Sequence, residues 1–346
     1  MTFWPLIKIL PVKTNFRFVA FAKYAAALSI VITLASLAAV LFPFAPPCGG
    51  LNCGIDFRGG TILEFTTQPA PVAVAPGPGA ANTAPVTPGK PLDLGVVREA
   101  LAGKGLGDVG VQGYDDGSSA MVRFETPAGK DANAVKSDVR QTLEKAIPGV
   151  RFTNDATVGA KVSGELFTNG ILALLVAIGL MLVYIWFRFE LQFGLGAVIA
   201  LFHDVILTFG MIALFNMEFS LTTIAAILTI IGYSMNDTVV VFDRLRENLR
   251  KYKRMPLREV IDLSINETLS RTIITGLTAI LALTGLAVFG GEALFGFSII
   301  MIVGIALGTY SSIYVAAPVI LLWGVKRGGA VEDEAAPIKF GAASRP

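Results

Sequence analysis

The sequence predicts an integral membrane protein with six transmembrane helices and one inserted α+β domain. Hydrophobic residues make up 53% of the 346-residue chain and charged residues only 16%, whereas soluble domains carry about 25% charged residues. Six apolar runs approach or exceed the ~20 residues that a helix needs to cross a bilayer. The stretch between the first two runs has the alternating and helical apolar patterns of a folded soluble domain. The net charge of +2 shows no basic excess of the kind that binds nucleic acid. We therefore expect the lipid bilayer, and no nucleic acid, around the protein.

The first span is predicted at residues 24–44. Residues 1–23, which precede it, contain four basic residues and no acid. A cleaved signal peptide is the rival interpretation, but it needs a shorter apolar region and a small-x-small cleavage site. Here Phe42-Pro43-Phe44 ends the run. We therefore favour an uncleaved span with residues 1–23 in the cytoplasm.

The two cysteines, Cys48 and Cys53, come directly after this span. If the span leaves the cytoplasm, they lie in an oxidising compartment, where disulfides persist. Two free thiols near the membrane are the alternative. The sequence leaves both open, because pairing depends on geometry that spacing alone does not give.

Residues 45–165 are predicted to form a domain outside the cytoplasm. Its elements, read from apolar periodicity and turn signals, are a strand in Asp56–Thr66, a helix at Leu92–Lys104 with Asp93 as a possible cap, strands at Val109–Tyr114 and Ala120–Glu125, a helix at Ala132–Ile147 and a strand at Val150–Val158. This β-α-β-β-α-β order is typical of a ferredoxin-like domain.

Residues 67–92 of this domain are rich in proline, alanine and threonine and nearly uncharged. They cannot bury enough surface to pack, so we expect a flexible insertion. The domain contains no recognisable phosphate loop, metal cluster or catalytic triad. We therefore expect a binding or moving part, with no enzymatic activity, metal or cofactor.

The other five spans form a predicted bundle over residues 167–323. They are placed at Phe167–Phe187, Phe193–Phe215, Leu221–Phe242, Thr272–Phe289 and Phe297–Trp323. The connection Asp243–Arg271 is rich in Lys and Arg, whereas Asn216–Ser220 and Gly290–Gly296 contain neither. The positive-inside rule therefore places Asp243–Arg271 and both termini, including the tail 324–346, in the cytoplasm.

Asp237 is the main candidate for function, because apolar sequence lies on both sides of it in the fourth span. Acids within the bilayer are rare and costly, and they are functional candidates by default. About five residues of the apolar run follow Asp237, roughly 8 Å of helix, which places it in the inner leaflet. The alternative is a hydrated acid at the membrane edge.

His203 and Asp204 lie in the middle of the third span, and His203 is the only histidine. Such a pair could relay protons. Neighbouring residues on a helix point about 100° apart, however, so the two cannot face one partner. A structural acceptor for a neighbouring span is an equal alternative for Asp204, and a structural role is favoured for His203.

Arg271 opens the fifth span, at a depth that permits contact with Asp237. The common interpretation is an arginine that extends to the membrane surface. The sharper one is a partner for Asp237, since a nearby cation keeps a buried acid titratable. Gly304 and Gly308 in the sixth span, with Gly276 and Gly285 in the fifth, have the small-residue pattern of close helix packing.

Three motifs together resemble the SecD/SecF family of protein-export membrane proteins. They are GIDFRGGT at Gly54–Thr61, GYSMNDTVVVFDRLREN at Gly232–Asn248 and the stretch Ser264–Thr272. The motif residues singled out are Asp56, Arg58, Gly59, Gly60, Gly232 and Asn236. The second motif points to the SecF branch, and the resemblance covers nearly the whole chain apart from the insertion and the tail.

The resemblance implies a subunit that pairs with SecD, associates with the SecYEG channel and uses the proton gradient to promote preprotein export. The family is similar to resistance–nodulation–division transporters, in which intramembrane acids carry protons, and Asp237 and Arg271 match its proton-path positions. One alternative is half of a proton-driven small-molecule exporter. The other is a passive scaffold without a proton step.

Overall fold

The computed structural model describes residues 14–42, 48–68, 91–106, 109–114, 117–127 and 130–324. Most of the predicted insertion 67–92, the basic residues before Thr14 and the tail after Gly324 lie outside this range. The chain divides into two compact units, one made of Met1–Asn52 with Ile171–Pro346 and the other of Cys53–Gly170. Each is described separately below.

Within the described residues, six helices are long and apolar enough to cross a membrane, as predicted. In chain order, these spans are Phe18–Leu41, Ala160–Arg188, Leu191–Leu214, Leu221–Lys251, Leu257–Phe289 and a sixth made of Glu292–Ser311, a π-helical segment at Ser312–Ala316 and Ala317–Trp323. The third, fourth and sixth spans are the most buried, and the first, second and fifth are largely exposed.

The fourth and fifth spans extend well beyond their apolar sequence. The connection predicted at Asp243–Arg271 is helical except for residues 252–256. Polar pairs join the two extensions, because Asn248 donates to Ser264 at 3.0 Å and Arg244 donates to Glu267 at 2.7 Å. The extensions also bury apolar residues on one face, among them Leu245 and Ile261. The hydropathy pattern ended these helices too early, because charged residues on the other faces lower the mean hydropathy of an amphipathic helix.

The start of the first span is held by two side chains of the fifth. The backbone N–H of Val19 donates to Asp262 Oδ1 at 2.9 Å. Asn266 accepts from the Phe16 N–H at 2.9 Å and donates to the Phe16 carbonyl at 2.8 Å. An acid at a helix N-terminus satisfies unpaired N–H groups and complements the helix dipole. Asp262 therefore caps a helix more than two hundred residues away in sequence.

The second unit has the predicted ferredoxin-like arrangement. Its strands are β1 (Gly60–Thr66), β2 (Val109–Gly113), β3 (Ser119–Phe124) and β4 (Arg151–Val158), and its helices are α1 (Leu94–Leu101) and α2 (Ala132–Ala146). The strands form one antiparallel sheet in the order β2-β3-β1-β4. Apolar side chains of β1 and β3 form one core with α1 and α2, including Leu63, Phe65, Val122, Val97 and Leu143. Asp93 caps α1, as predicted, by accepting from Gly95 N–H at 2.8 Å.

The strand predicted over Asp56–Thr66 begins later, at Gly60. Ile55–Arg58 instead forms one helical turn, followed by Gly59 at φ 78° and Gly60 at φ 126°. Only glycine adopts such angles without strain. A Cβ on Gly60 would also lie 2.6 Å from the Phe124 carbonyl oxygen. The paired glycines of the motif thus turn the chain sharply into β1.

Both cysteines are disulfide-bonded in the structure. Since the chain has no others, Cys48 and Cys53 form this bond with each other.

Candidate functional site

Asp237 is buried in the apolar part of the fourth span, with 8% of its surface exposed. Both carboxylate oxygens accept hydrogen bonds from other spans. Thr272 of the fifth span donates to Oδ1 at 2.6 Å, and Ser312 of the sixth donates to Oδ2 at 2.5 Å. Because such bonds stabilise an ionised carboxylate, the charge state of Asp237 acts on three helices at once.

Glycines bring the sixth span close enough for these bonds. A Cβ on Gly304 would collide with Ile230, and one on Gly308 would lie 2.9 Å from Ser234 Cβ, both on the fourth span. Gly276 also lies in a helix contact, with the Tyr233 hydroxyl 3.5 Å from its Cβ position. Among the described residues, nothing lies within 4 Å of a Cβ on Gly285, so the packing prediction is wrong there.

Ser312 begins the π-helical segment of the sixth span, Ser312–Ala316. Pro318 follows at the start of the next helical stretch. Proline lacks an N–H and its ring collides with the carbonyl four residues earlier, so a helix must widen or bend before it. Single π turns inside helices occur often at functional sites. Here the widened turn lies at the level of the buried carboxylates.

Asp204 is a second carboxylate at this level, with 1% of its surface exposed. Ser234 of the fourth span donates to its Oδ2 at 2.5 Å, and Ser311 of the sixth donates to the same oxygen at 2.6 Å. His203 Nδ1 lies 2.9 Å from Oδ1. We predicted that His203 and Asp204, as neighbours on one helix, cannot face the same partner. The bond observed is between the two residues themselves, so that prediction does not conflict with it.

The imidazole of His203 leaves one nitrogen without a partner. Nε2 is buried and has no hydrogen-bond partner among the described residues. The ring stacks on Tyr310, with centroids 6.2 Å apart. Tyr310 in turn shares a hydrogen bond with Ser29 of the first span at 2.9 Å. His203 thus carries unused proton-accepting capacity deep in the bundle.

The two carboxylates are linked through adjacent residues of the fourth and sixth spans. Ser234 and Asp237 lie one turn apart on the fourth span, and Ser311 and Ser312 are consecutive on the sixth. The serine hydroxyls also have alternative acceptors, since Ser312 Oγ lies 3.0 Å from the Thr309 carbonyl and Ser311 Oγ lies 3.1 Å from that of Gly308. Each hydroxyl can therefore turn to its own helix and accept a bond from a protonated carboxyl.

Arg271 does not form the ion pair with Asp237 that its depth permitted. No salt bridge of 4.0 Å or less joins them in the described part of the chain, although Arg271 lies near enough to act on the charge of Asp237. Thr272 faces inward and bonds the carboxylate instead. Since consecutive helical residues point about 100° apart, Arg271 turns to the exposed side.

Arg271 belongs to an exposed polar face of the fourth and fifth spans. The other members are Thr229, Gly232, Asn236, Thr275 and Thr278. In the part of the chain that the structure describes, nothing lies within 4 Å of the Cβ position of Gly232. These two motif residues, Gly232 and Asn236, therefore point away from the bundle and not into it.

The motif residues of the second unit take structural positions. Gly59 and Gly60 are buried where the chain enters β1, of which Gly60 is the first residue, while Asp56 and Arg58 are half-buried in the preceding helical turn. The four lie in Cys53–Gly170, and the carboxylate network lies in the membrane unit. The motifs thus serve separate parts of the protein.

Sequence reasoning missed the hydroxyls that hold the carboxylates, on Ser234, Thr272, Ser311 and Ser312. Two signals were available, since Ser311-Ser312 is a polar pair within an apolar span and Thr272 follows Arg271 directly. Serine and threonine are common in membrane helices and often bond only their own backbone. The tertiary contacts were needed to separate the two cases.

Comparisons with known proteins identify the same family over nearly the whole chain. The profile described as "Protein export membrane protein SecD/SecF, C-terminal" matches residues 138–326, and that of the "SecD/SecF GG Motif" matches residues 49–71. The protein translocase subunit SecF of Cereibacter sphaeroides is 43% identical, covering 96% of this chain and 97% of its own length. That of Rickettsia bellii is 38% identical, covering 94% and 99%.

Solved structures agree with these sequence matches. The crystal structure of SecDF from Thermus thermophilus, titled a translocon-associated membrane protein, has a TM-score of 0.74 and 32% identity over 91% of this chain. A structure titled SecDF in super-membrane-facing form has a TM-score of 0.60. This chain corresponds to 40% of the length of each SecDF chain.

Proposed function

The chain belongs to the SecD/SecF family of protein export membrane proteins, and we propose that it is the SecF-type subunit of the Sec translocase that couples inward proton movement to protein export. The buried, doubly hydrogen-bonded carboxylate of Asp237 carries this proposal. A structural acid has no need of a partner that can turn away, as Ser312 can toward the Thr309 carbonyl, whereas a proton carrier must be stable in both charge states.

The proposed cycle follows from the contacts of Asp237. A proton from the outer side binds the ionised carboxylate, and the resulting carboxyl donates to Ser312 as the serine hydroxyl turns to the Thr309 carbonyl. Because bonds to a charged group are about twice as strong as neutral ones, the fourth, fifth and sixth spans are held together less firmly. Release of the proton inward restores the first arrangement, and Arg271 favours that ionised state.

The proton gradient is adequate for such a step. One charge that crosses ~100 mV supplies about 2.3 kcal/mol, which shifts a two-state equilibrium by well over tenfold. We propose that this shift moves the outer domain, which holds or releases the emerging preprotein.

Asp204 is proposed as the second member of the proton pathway. It shares the level of Asp237, and of its serine partners Ser234 lies one turn from Asp237 while Ser311 precedes Ser312, which holds Asp237. The unpartnered Nε2 of His203 adds a proton-accepting position beside it. Its near-complete burial gives poorer access to either aqueous side, so we assign it a supporting role.

SecD is the proposed partner in the membrane. We propose that the two subunits associate with the SecYEG channel and its translocating preprotein. The exposed polar face around Asn236 and Arg271 supports a membrane partner, because polar groups at membrane depth are rarely left facing lipid. We propose that both termini lie in the cytoplasm and the outer domain in the periplasm, as the basic extensions of the fourth and fifth spans favour.

The test is proton flux and preprotein export in inverted vesicles that contain the assembled complex. Asp237→Asn keeps size and hydrogen bonding but cannot release a proton, so assembly with SecD should persist and the gradient-dependent increment of export should vanish. Glu259→Gln is the control, since Glu259 is an exposed acid in the first turn of the fifth span, away from the carboxylate network. A normally assembled Asp237→Asn complex with the full increment would favour the scaffold alternative.

A further inference from the structure

We propose that the basic ends of the second and fourth spans bind the phosphate group of an anionic phospholipid. A cavity of about 510 Å³ lies there, lined by Arg188, Asp243, Arg246, Glu247, Arg250 and Lys251. Its volume falls within the ~300–1,000 Å³ of small-ligand sites. Basic pockets between membrane helices on the cytoplasmic side are the known setting for anionic lipid headgroups.

The two acids of the cavity are already neutralised. Arg188 Nη2 donates to both oxygens of Asp243 at 2.5 Å. Glu247 accepts from Arg244 Nη1, also at 2.5 Å. Neither carboxylate is therefore free to repel an incoming phosphate at full strength.

The remaining cations are in excess. Arg246 makes only a long contact of 3.6 Å with Glu190. Arg250 and Lys251 have no ion pair of 4.0 Å or less within the described ranges, and Lys251 Nζ lies over the Tyr252 ring at 5.1 Å. Among the described residues, Arg250 and Lys251 thus face the cavity without an ion pair, and Arg246 has only a long one.

Arg188 is held in place before any ligand arrives. Its guanidinium is bonded to Asp243 and lies 5.1 Å from the centre of the Phe189 ring. Phe189 itself packs edge-on against Phe242 of the fourth span, with centroids 5.6 Å apart. A fixed planar guanidinium suits phosphate oxygens and loses little side-chain entropy on binding.

The surroundings favour a lipid over a soluble phosphate. Trp186 and Phe187, directly before Arg188, are 80% and 84% exposed, and Leu191 is 74% exposed. Tryptophan is enriched at the level of lipid headgroups. An apolar surface at the same end of the second span would lie along the acyl chains of a lipid whose phosphate occupies the cavity.

The test is native mass spectrometry of the full-length protein with equal amounts of phosphatidylglycerol and phosphatidylcholine. Arg250→Gln with Lys251→Gln should lower the affinity for phosphatidylglycerol about thirtyfold, since each basic residue near a membrane contributes about fivefold. Lys253→Gln with Arg254→Gln removes the same charge from exposed positions outside the cavity, and should change affinity less than about threefold because solvent screens it. Equal helicity by circular dichroism verifies the fold of both.

Retention of phosphatidylglycerol only by the wild type and the control pair supports the proposal. Equal losses in both double variants would mean diffuse attraction and would overturn it, as would no loss in either. Millimolar inorganic phosphate added as competitor should not displace the lipid. Full displacement would identify a free-anion site and overturn the assignment to lipid.

Discussion

Gly304→Ala should loosen the contact between the fourth and sixth spans. The added Cβ would collide with Ile230 Cδ1 and would lie 2.5 Å from its Cγ1 and 3.0 Å from its Cγ2. Ile230 is 2% exposed and, as a β-branched residue, has little rotamer freedom with which to move away. Overpacking of this kind costs about 1–3 kcal/mol, while replacing glycine in a helix by alanine gains up to about 1 kcal/mol. The clash wins.

Gly285→Ala is the matched control, because no described residue lies within 4 Å of a Cβ at this position of the fifth span. It should be neutral or slightly stabilising. The two variants should differ by about 2 kcal/mol in the free energy of unfolding. The measurement is circular dichroism of the purified protein in mixed micelles titrated with sodium dodecyl sulfate.

Gly304→Ala should also impair proton coupling, because Ser311 and Ser312 lie two turns further along the displaced sixth span. Hydrogen bonds to carboxylates weaken steeply with distance and angle. The gradient-dependent export increment should fall in Gly304→Ala and stay normal in Gly285→Ala. If Gly304→Ala is as stable and as active as Gly285→Ala, the close approach of these spans is not what positions the serines.

Three further predictions concern single groups. Ser312→Ala should reduce gradient-dependent export several-fold by removing one donor to Asp237. Ser298→Ala should not, because the Ser298 hydroxyl bonds the Leu294 carbonyl of its own helix. Equal effects would exclude a specific role for the donor. A single cysteine can replace Lys253 in a chain whose two native cysteines are changed to serine. It should react with an impermeant thiol reagent in inverted vesicles and not in intact cells. The reverse result would invert the proposed topology. The bond from Lys136 holds the pKa of Asp155 below its ordinary value, so the ionised acid stabilises β4 above about pH 4 and this contribution is lost as the pH falls through the lowered pKa. The protection of residues 151–158 against hydrogen exchange, expressed relative to the intrinsic amide rate at each pH, should therefore fall on acidification in the wild type more than in Asp155→Asn, by a few tenths of a kcal/mol for so exposed a pair. Parallel curves would contradict this.

Apolar periodicity was sufficient for the architecture. Six spans are visible because helices in lipid satisfy their backbone internally and must be apolar over a fixed length. The strand and helix order of the outer domain was readable for a similar reason, since its core residues, such as Leu63 and Leu143, recur at the spacing of their element. The same rule failed at Asp56–Arg58, where two glycines with positive φ redirect the chain.

The candidate site was only half predictable. Asp237 and Asp204 stand out because acids are rare in apolar runs. Their partners do not, because whether Ser312 bonds a carboxylate or its own helix depends on where the sixth span lies. For Arg271 the sequence predicted a contact that the structure lacks. Its depth matches that of Asp237, but its side of the helix faces away from that residue.

The cap that Asp262 provides has a consequence for the order of biosynthesis. Val19 and its acceptor are 243 residues apart in the chain, and at ~5–20 residues per second the ribosome needs roughly 10–50 s to cover that distance. During this interval the first span is already made, but its terminal N–H groups must rely on water or on other proteins. The first helix to be synthesised is therefore among the last to reach its final hydrogen bonding, and a chain truncated before the fifth span should carry a first helix that is frayed at its start.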